Sequence, residues 1–257
     1  MSEWAVILGA SSGFGAATAK ELARSGLNIC GVHLDRKNTL HIVQEVVGEI
    51  EKSGQTALFF NMNAADAEKR ADVVAQLKAE GGRVKVLMHS LAFGALRPVI
   101  TDDPADALTQ SQVEMTLDVM ASSVLYWAQD LYFAGLLQKG SQIFAMTSSG
   151  GHRQWRNYGA VSAAKAVLES SMRQLAYELA PKGIAANTLQ AGVTDTAALR
   201  KIPDNLLMIE HAIKINPSGR LTRPEDIAKV IATIGLSEHT WMSGNVIRVD
   251  GTEDIVG

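Results

Sequence analysis

The chain has little of what marks several large protein classes. There is one cysteine, Cys30, among 257 residues. No intrachain disulfide framework is possible, and a reducing compartment is expected. Cys30 lies in the apolar run "NICGV" and reads as core packing. No stretch approaches the roughly 20 consecutive apolar residues that a membrane span needs. The N-terminal "MSEWAVILGASSG" has no basic segment ahead of its short apolar run, which argues against a signal peptide. A cytoplasmic protein without a membrane partner is the expectation. Neither charge sign is in excess: Lys plus Arg number 24 and Asp plus Glu 27, for a net charge of -3. That implies no basic surface for nucleic acid and no acidic tail. The six histidines show no E-x-x-H or H-x-x-x-H grouping, so no metal site is expected. Repeats, low-complexity tracts and linkers are also missing, and a single domain over 1–257 follows.

What the chain does have is alternation. "WAVIL" (4–8), "NICGVHL" (28–34), "TALFFNM" (56–62), "VKVLMHS" (84–90), "SQIFAMT" (141–147), "IAANTLQ" (184–190) and "NVIRVD" (245–250) read as strands. Most are apolar throughout, as strands covered on both faces are. Helical patterns lie between them. "GAATAKELARSG" and "NTLHIVQEVVGEIEKSG" both close on glycine, "AVLESSMRQLAYELAPKG" ends at Pro181, and "RPEDIAKVIATIGL" opens on Pro224 with acids in its first turn. The fold class is therefore α/β: a single-domain, doubly wound parallel sheet of Rossmann type with helices on both faces. The least regular stretch, 191–223, is expected to contain a substrate lid. Within it "LLMIEHAIKI" (206–215) is amphipathic and reads equally as a mobile cover or a packed helix.

"ILGASSGFG" follows the first strand and opens the first helix, with glycines at Gly9, Gly13 and Gly15. A loop with so little side chain lets the backbone approach a pyrophosphate, whose charge the helix N-terminus then favours. A ligand-free βα turn would need the same glycines. The position after the first strand of an α/β chain favours a dinucleotide. At the end of the second strand stands "VHLDRKN". Counting from the Gly26 turn, His33 occupies the place of the acid that binds a ribose 2′-hydroxyl in NAD sites. Arg36 and Lys37 suit a 2′-phosphate, so NADPH is expected, with NADH possible. A solvated charge run is the competing reading of "DRK".

Tyr158 precedes Lys165 by seven residues, about two helical turns, which puts both near one helix face. Many Tyr/Lys pairs that act on carbonyls are four apart, and here Val161 holds that position. Ketone reduction protonates an oxygen one bond from the carbon that receives hydride. Reduction of an α,β-unsaturated thioester delivers hydride to the β-carbon, and negative charge gathers on an oxygen three bonds away. A tyrosine displaced along its helix can donate to that more distant oxyanion. Lys165 would hold the cofactor ribose and favour a polarised phenol. Ser148 follows the fifth strand, where a strand end meets the crevice. A surface tyrosine beside a solvated lysine is the plain alternative.

With these motifs in order, the chain resembles the short-chain dehydrogenase/reductase family over nearly its whole length. "GASSGFG", the Ser148 to Lys165 spacing, "GVTDT" (192–196) and "RVDG" (248–251) carry the likeness. The long Tyr–Lys spacing and "VLMHSLAFG" resemble the enoyl-acyl-carrier-protein reductase branch. "ALRPV" (95–99), "NTLQAGVTDTAALRKIP" and "INPSGRL" look most like its divergent NADPH-preferring bacterial group, the type III enoyl reductases. The resemblance implies that Tyr158 donates to a thioester enolate, that Lys165 binds the nicotinamide ribose, and that Ser148 matches the family serine, with its role open. It implies that Gly9, Ser12, Gly13 and Phe14 cradle the pyrophosphate and that Asn63 lies beside the adenine. Ser90, Leu91 and Ala92 would line the cofactor, and Gly192, Val193, Thr194 and Thr196 would close around the nicotinamide. It also implies an acyl thioester on acyl carrier protein as substrate, and a homotetramer.

Three departures stand out. Leu8 replaces a common threonine, Ala191 the usual proline, and Met120 an asparagine tied to a proton relay. That relay serves carbonyl reduction, so its loss weakens a ketoreductase reading more than an enoyl one. A carbonyl or alcohol oxidoreductase stays the second expectation, and a catalytically weak dinucleotide-binding protein the third. His89 reads as a satisfied structural histidine, and His152 with Arg153 as a solvated loop near the tyrosine or as a contact to substrate. Trp127, Tyr132 and Phe133 read as core or subunit interface.

Overall fold

The computed structural model describes residues 2–256. Its elements run β1 (Glu3–Leu8), α1 (Gly13–Arg24), β2 (Asn28–His33), α2 (Leu40–Lys52), β3 (Ala57–Asn61), α3 (Ala67–Ala79), β4 (Arg83–His89), α4 (Gln110–Leu117), α5 (Ser123–Phe133), β5 (Leu137–Ser148), α6 (Gly159–Leu179), β6 (Ala185–Ala191), α7 (Asn205–Ile215), α8 (Pro224–Gly235) and β7 (Val246–Val249). The seven strands form one parallel sheet in the order β3-β2-β1-β4-β5-β6-β7. The order reverses between β1 and β4, and a crevice opens there beyond the strand ends.

The period of two along each strand sorts its side chains onto two cores. Trp4, Val6 and Leu8 of β1 face the core closed by α3, α5 and α6, whereas Ala5 and Ile7 face the one closed by α1, α2 and α8. β5 repeats this, with Ile143 and Ala145 on the first side and Phe144 and Met146 on the second. Burial on both faces is why the central strands are apolar throughout rather than alternating, whereas the edge strands β3 and β7 are partly exposed. Cys30 is fully buried, and burial pushes its thiol far up, which makes it an inert core residue.

The structure corrects the sequence reading in three places. β5 starts at Leu137, four residues earlier than expected, because its first residues "LQKG" carry charge and a left-handed Gly140. α3 is a helix that the apolar pattern did not announce: it buries Arg70, Val73, Val74 and Leu77, and Asp66 caps it by accepting from Lys69 N at 3.1 Å. The long pattern around 113–137 is two helices joined by one π-helical turn, Asp118–Ser122, which carries Met120. Such turns often occur at functional sites. Trp127 is core, with Nε1 donating to Ala64 O at 2.8 Å, whereas Phe133 is exposed. Within 191–223, the amphipathic stretch at 206–215 is α7, which buries only Ala212 of its residues while Leu206 and Leu207 stay exposed. Among the described residues, no helix is long and apolar enough to cross a membrane.

Candidate active site

The crevice floor is set by backbone geometry. Gly9 has φ +90, and a Cβ there would fall 2.3 Å from Ser90 O. Only glycine lets the loop after β1 lie against the end of β4. Gly15 is held as tightly, since a Cβ there would meet Gly9 O at 2.0 Å. Across the crevice, the nearest atoms to a Cβ on Gly13 belong to Thr196, at 3.6 Å. The glycine loop and the segment after β6 thus form opposite walls, with Phe14, Ser90, Leu91, Ala92, Gly192, Val193 and Thr194 lining the same cavity of about 440 Å³. Ser12 precedes α1 with extended backbone and makes no cap with its own side chain, leaving the helix N-terminus for an anion. A cradle that a Cβ would fill, at a helix start, fits a dinucleotide pyrophosphate.

Tyr158 is not within the helix that carries Lys165. It is the residue that precedes α6, and its carbonyl accepts the first helical bond from Ser162 N at 2.8 Å. The expectation that both side chains share a helix face is corrected accordingly. The turn depends on Asn157, whose φ of 62 lies in the left-handed region that asparagine tolerates better than most residues. The Tyr158 ring folds back over Gly150, where a Cβ would lie 2.5 Å from the ring edge and 3.2 Å from Ser148 Oγ. Burial pushes the phenol above its ordinary value, and the neighbouring Ser148 hydroxyl opposes this. Ser148 Oγ falls short of a good hydrogen bond, however, and is buried without a partner among the described residues. A buried polar atom left unpaired at a cavity wall is what a ligand-ready site contains.

Lys165 is 6% exposed, and Nζ donates to Met146 O at 2.7 Å. Burial pushes its ammonium down to about 8, against the pull of Glu169. Two of its three donors remain for ligand hydroxyls. His89, at the end of β4, shares this interior. Its Nε2 lies 2.9 Å from Ser123 Oγ, which itself donates to Val119 O on the π-helical turn. The ring is therefore assigned an Nε2–H. Nδ1 has no partner among the described residues, so His89 is only half satisfied there, contrary to the sequence reading. Burial, helped by Lys165, pushes His89 down to about 3, and it is neutral. Val161, where shorter-spaced pairs carry the tyrosine, is buried and lines the cavity with Met120.

At the far end of the crevice the picture is looser. His33 does not reach solvent. It is buried, and Nδ1 lies 3.0 Å from Asp35 Oδ2. Asp35 is the residue that reaches outward, accepting from Thr39 Oγ1 at 2.9 Å. Burial works to raise its carboxyl, but hydrogen bonds from Ser11, Thr39 and His33 outweigh that and hold it below the usual range. Arg36 and Lys37 are exposed beside it. Asn63 is exposed after β3, its side chain accepting from Ala65 N at 3.0 Å.

Two groups escaped the sequence reading. Glu169 could have been found, since it sits one turn beyond Lys165 on the same helix face. Glu253 had no local signal. It comes from the far end of the chain to accept Val193 N at 3.0 Å, under the loop expected to close on the nicotinamide. Its neighbour Asp254 takes Arg153 at 3.1 Å and His152 at 3.2 Å, tying the loop ahead of Tyr158 to the same turn.

A family model described as Enoyl-(Acyl carrier protein) reductase matches residues 9–251. The chain belongs to the short-chain dehydrogenase/reductase family. As a short-chain dehydrogenase/reductase it is an oxidoreductase that uses a nicotinamide dinucleotide. Its relatives in the family differ in substrate. It is 27% identical over 240 residues to the NADH-dependent enoyl-[acyl-carrier-protein] reductase FabI of a Nostoc species, covering 93% of this chain and 90% of that one. It is 27% identical over 256 residues to the 3-oxoacyl-[acyl-carrier-protein] reductase FabG of Aggregatibacter actinomycetemcomitans, covering 98% and 99%. The crystal structure of the Aquifex aeolicus enoyl-[acyl-carrier-protein] reductase (NADH) superposes with a TM-score of 0.86 at 22% identity, over 99% of this chain and 97% of that one. That likeness shows the shared fold of this short-chain dehydrogenase/reductase.

Proposed function

We propose that this protein is an NADPH-dependent enoyl-thioester reductase, acting on trans-2-enoyl groups carried on acyl carrier protein in fatty-acid elongation. The observation that carries the reading is the position of Tyr158, outside the first turn of α6 with Val161 in the nearer place. The bound cofactor supplies hydride to the substrate β-carbon. Tyr158 donates a hydrogen bond to the thioester oxygen as charge develops there, and its high pKa keeps that proton in place at neutral pH. Lys165 binds the ribose hydroxyls with its free donors and places positive charge near the phenol. A solvent-derived proton completes the α-carbon. Phe93, Leu96, Met115, Trp155, Ile202 and Met208 give the cavity an apolar lining that suits an acyl chain. The exposed Leu206 and Leu207 of α7 suit a lid that closes over it.

Arg36 and Lys37 support NADPH, because Asp35 is already occupied by His33 and Thr39. The second reading, a carbonyl reductase, is favoured by the Ser148 hydroxyl beside Tyr158. In that chemistry Ser148 and Tyr158 would both donate to the ketone oxygen. A homotetramer, which the family resemblance implies, and a cytoplasmic location, expected from the single cysteine, go with this proposal. The test is to reduce crotonyl thioester with NADPH carrying deuterium at both C4 positions. The reading expects one deuterium on the β-carbon of the product. An unreacted thioester, from enzyme that reduces acetoacetyl thioester in the same buffer, overturns it in favour of the carbonyl reductase.

A further inference from the structure

Glu169 lies one turn beyond Lys165 on α6 and takes no part in the chemistry above. Its Oε1 accepts from Thr147 Oγ1 at 2.6 Å, and Thr147 is itself 4% exposed. The preceding residue of β5, Met146, offers the carbonyl that takes Lys165 Nζ at 2.7 Å. Two consecutive residues at one strand end thus hold the ammonium and the carboxylate. Gly151 closes over both, since a Cβ there would lie 3.1 Å from Glu169 Oε1 and 3.5 Å from Lys165 Cβ.

Charge gives this arrangement a purpose. A buried ammonium tends to lose its proton, yet charge-assisted donation to ribose hydroxyls needs it. Among the described residues, the groups that face Lys165 from other elements offer no counter-ion. His89, from β4, is neutral, and Tyr158, ahead of α6, keeps its proton. Glu169 is the group that opposes the burial of Lys165. Thr147 keeps that carboxylate at the strand end rather than letting it turn to solvent.

We infer that Glu169 is a positioning residue for this site: anchored by Thr147, it keeps the buried Lys165 charged and ready to hold the cofactor. This rests on the cofactor role of Lys165, and not on which thioester is reduced. The experiment is NADPH affinity from nicotinamide fluorescence between pH 6 and pH 10. Wild type should lose affinity as pH rises through about 8, the value burial gives Lys165. Lys165→Ala should bind weakly at every pH. Glu169→Gln should move the break down by about one pH unit or more, with affinity near pH 7.5 falling roughly three- to tenfold and returning in acid. Glu169→Asp should keep the break close to wild type.

A Glu169→Gln variant that breaks at the wild-type pH overturns the inference. So does one weakened equally at all pH values, because that is a structural role. If Glu169→Gln does not fold, Thr147→Val keeps the charge but frees it. Its break should move in the same direction by less, and an unmoved break counts against the inference. A break that survives in Lys165→Ala removes the cofactor role of Lys165, and the inference with it.

Discussion

At the end of the crevice near Lys165, the polar groups are buried and their partners are set by backbone: Lys165 on Met146 O, Tyr158 over Gly150, Glu253 on Val193 N. At the other end, Arg36, Lys37 and Asn63 stand in solvent, and only Asp35 is held by several neighbours. Electrostatics are strong in the first region and screened in the second. The comparison teaches where the protein commits itself. The buried end is fixed by backbone partners, whereas under the proposed reading cofactor selectivity would rest on exposed charges of modest individual effect.

The largest effect should come from the buried end. Tyr158→Phe should lower kcat on order of 10²–10³-fold, the usual cost of one oxyanion donor. NADPH affinity, read by fluorescence titration, should be nearly unchanged. Unaltered turnover removes Tyr158 from the mechanism and with it the contrast between the two ends. Lys165→Ala should weaken cofactor binding as well as rate, by about tenfold or more for a lost charged hydrogen bond. Normal binding contradicts the ribose role.

Acid offers a second way to probe the same interior. His89 has a folded pKa of about 3, below its unfolded value of roughly 6.5. The unfolded chain therefore binds this proton first. The stability due to the neutral ring is complete above about pH 6.5 and is lost progressively as pH falls toward 3. The loss should be on the order of a few kcal/mol. Urea titrations should show a shallower acid slope in His89→Gln than in wild type, and equal slopes place the acid-sensitive group elsewhere. The smallest effect belongs to the exposed end. Arg36→Ala should raise the KM for NADPH roughly two- to fivefold, as a surface charge would, and leave that for NADH closer to wild type. An equal rise for both undoes the 2′-phosphate argument.

The same division governs what could be read in the sequence. The sheet was legible because strands buried on both faces leave unbroken apolar runs. The glycine loop was legible because close backbone approach excludes every other residue at Gly9 and Gly15. Spacing drew attention to Tyr158 and Lys165, and the strand end and the family resemblance to Ser148, although the spacing suggested a shared helix face for the pair. Tyr158 stands instead just ahead of the helix, after a left-handed Asn157. α3 stayed hidden because its apolar stripe is thin and includes the buried Arg70, whose Nε donates to Asp130 at 2.8 Å. Glu253 stayed hidden because its contact joins residues 60 positions apart, and no local pattern records that. The inward turn of His33 was hidden too, since a strand end does not reveal which side chain the neighbouring Asp35 will claim.

The most direct test of the spacing argument is NADPH oxidation with crotonyl thioester beside acetoacetyl thioester, on one enzyme preparation. Turnover of the enoyl substrate alone is the predicted result, with Tyr158 placed to meet an enolate oxygen three bonds from the carbon that receives hydride. Turnover of the keto substrate alone contradicts it, and the long Tyr158–Lys165 spacing would then need another cause.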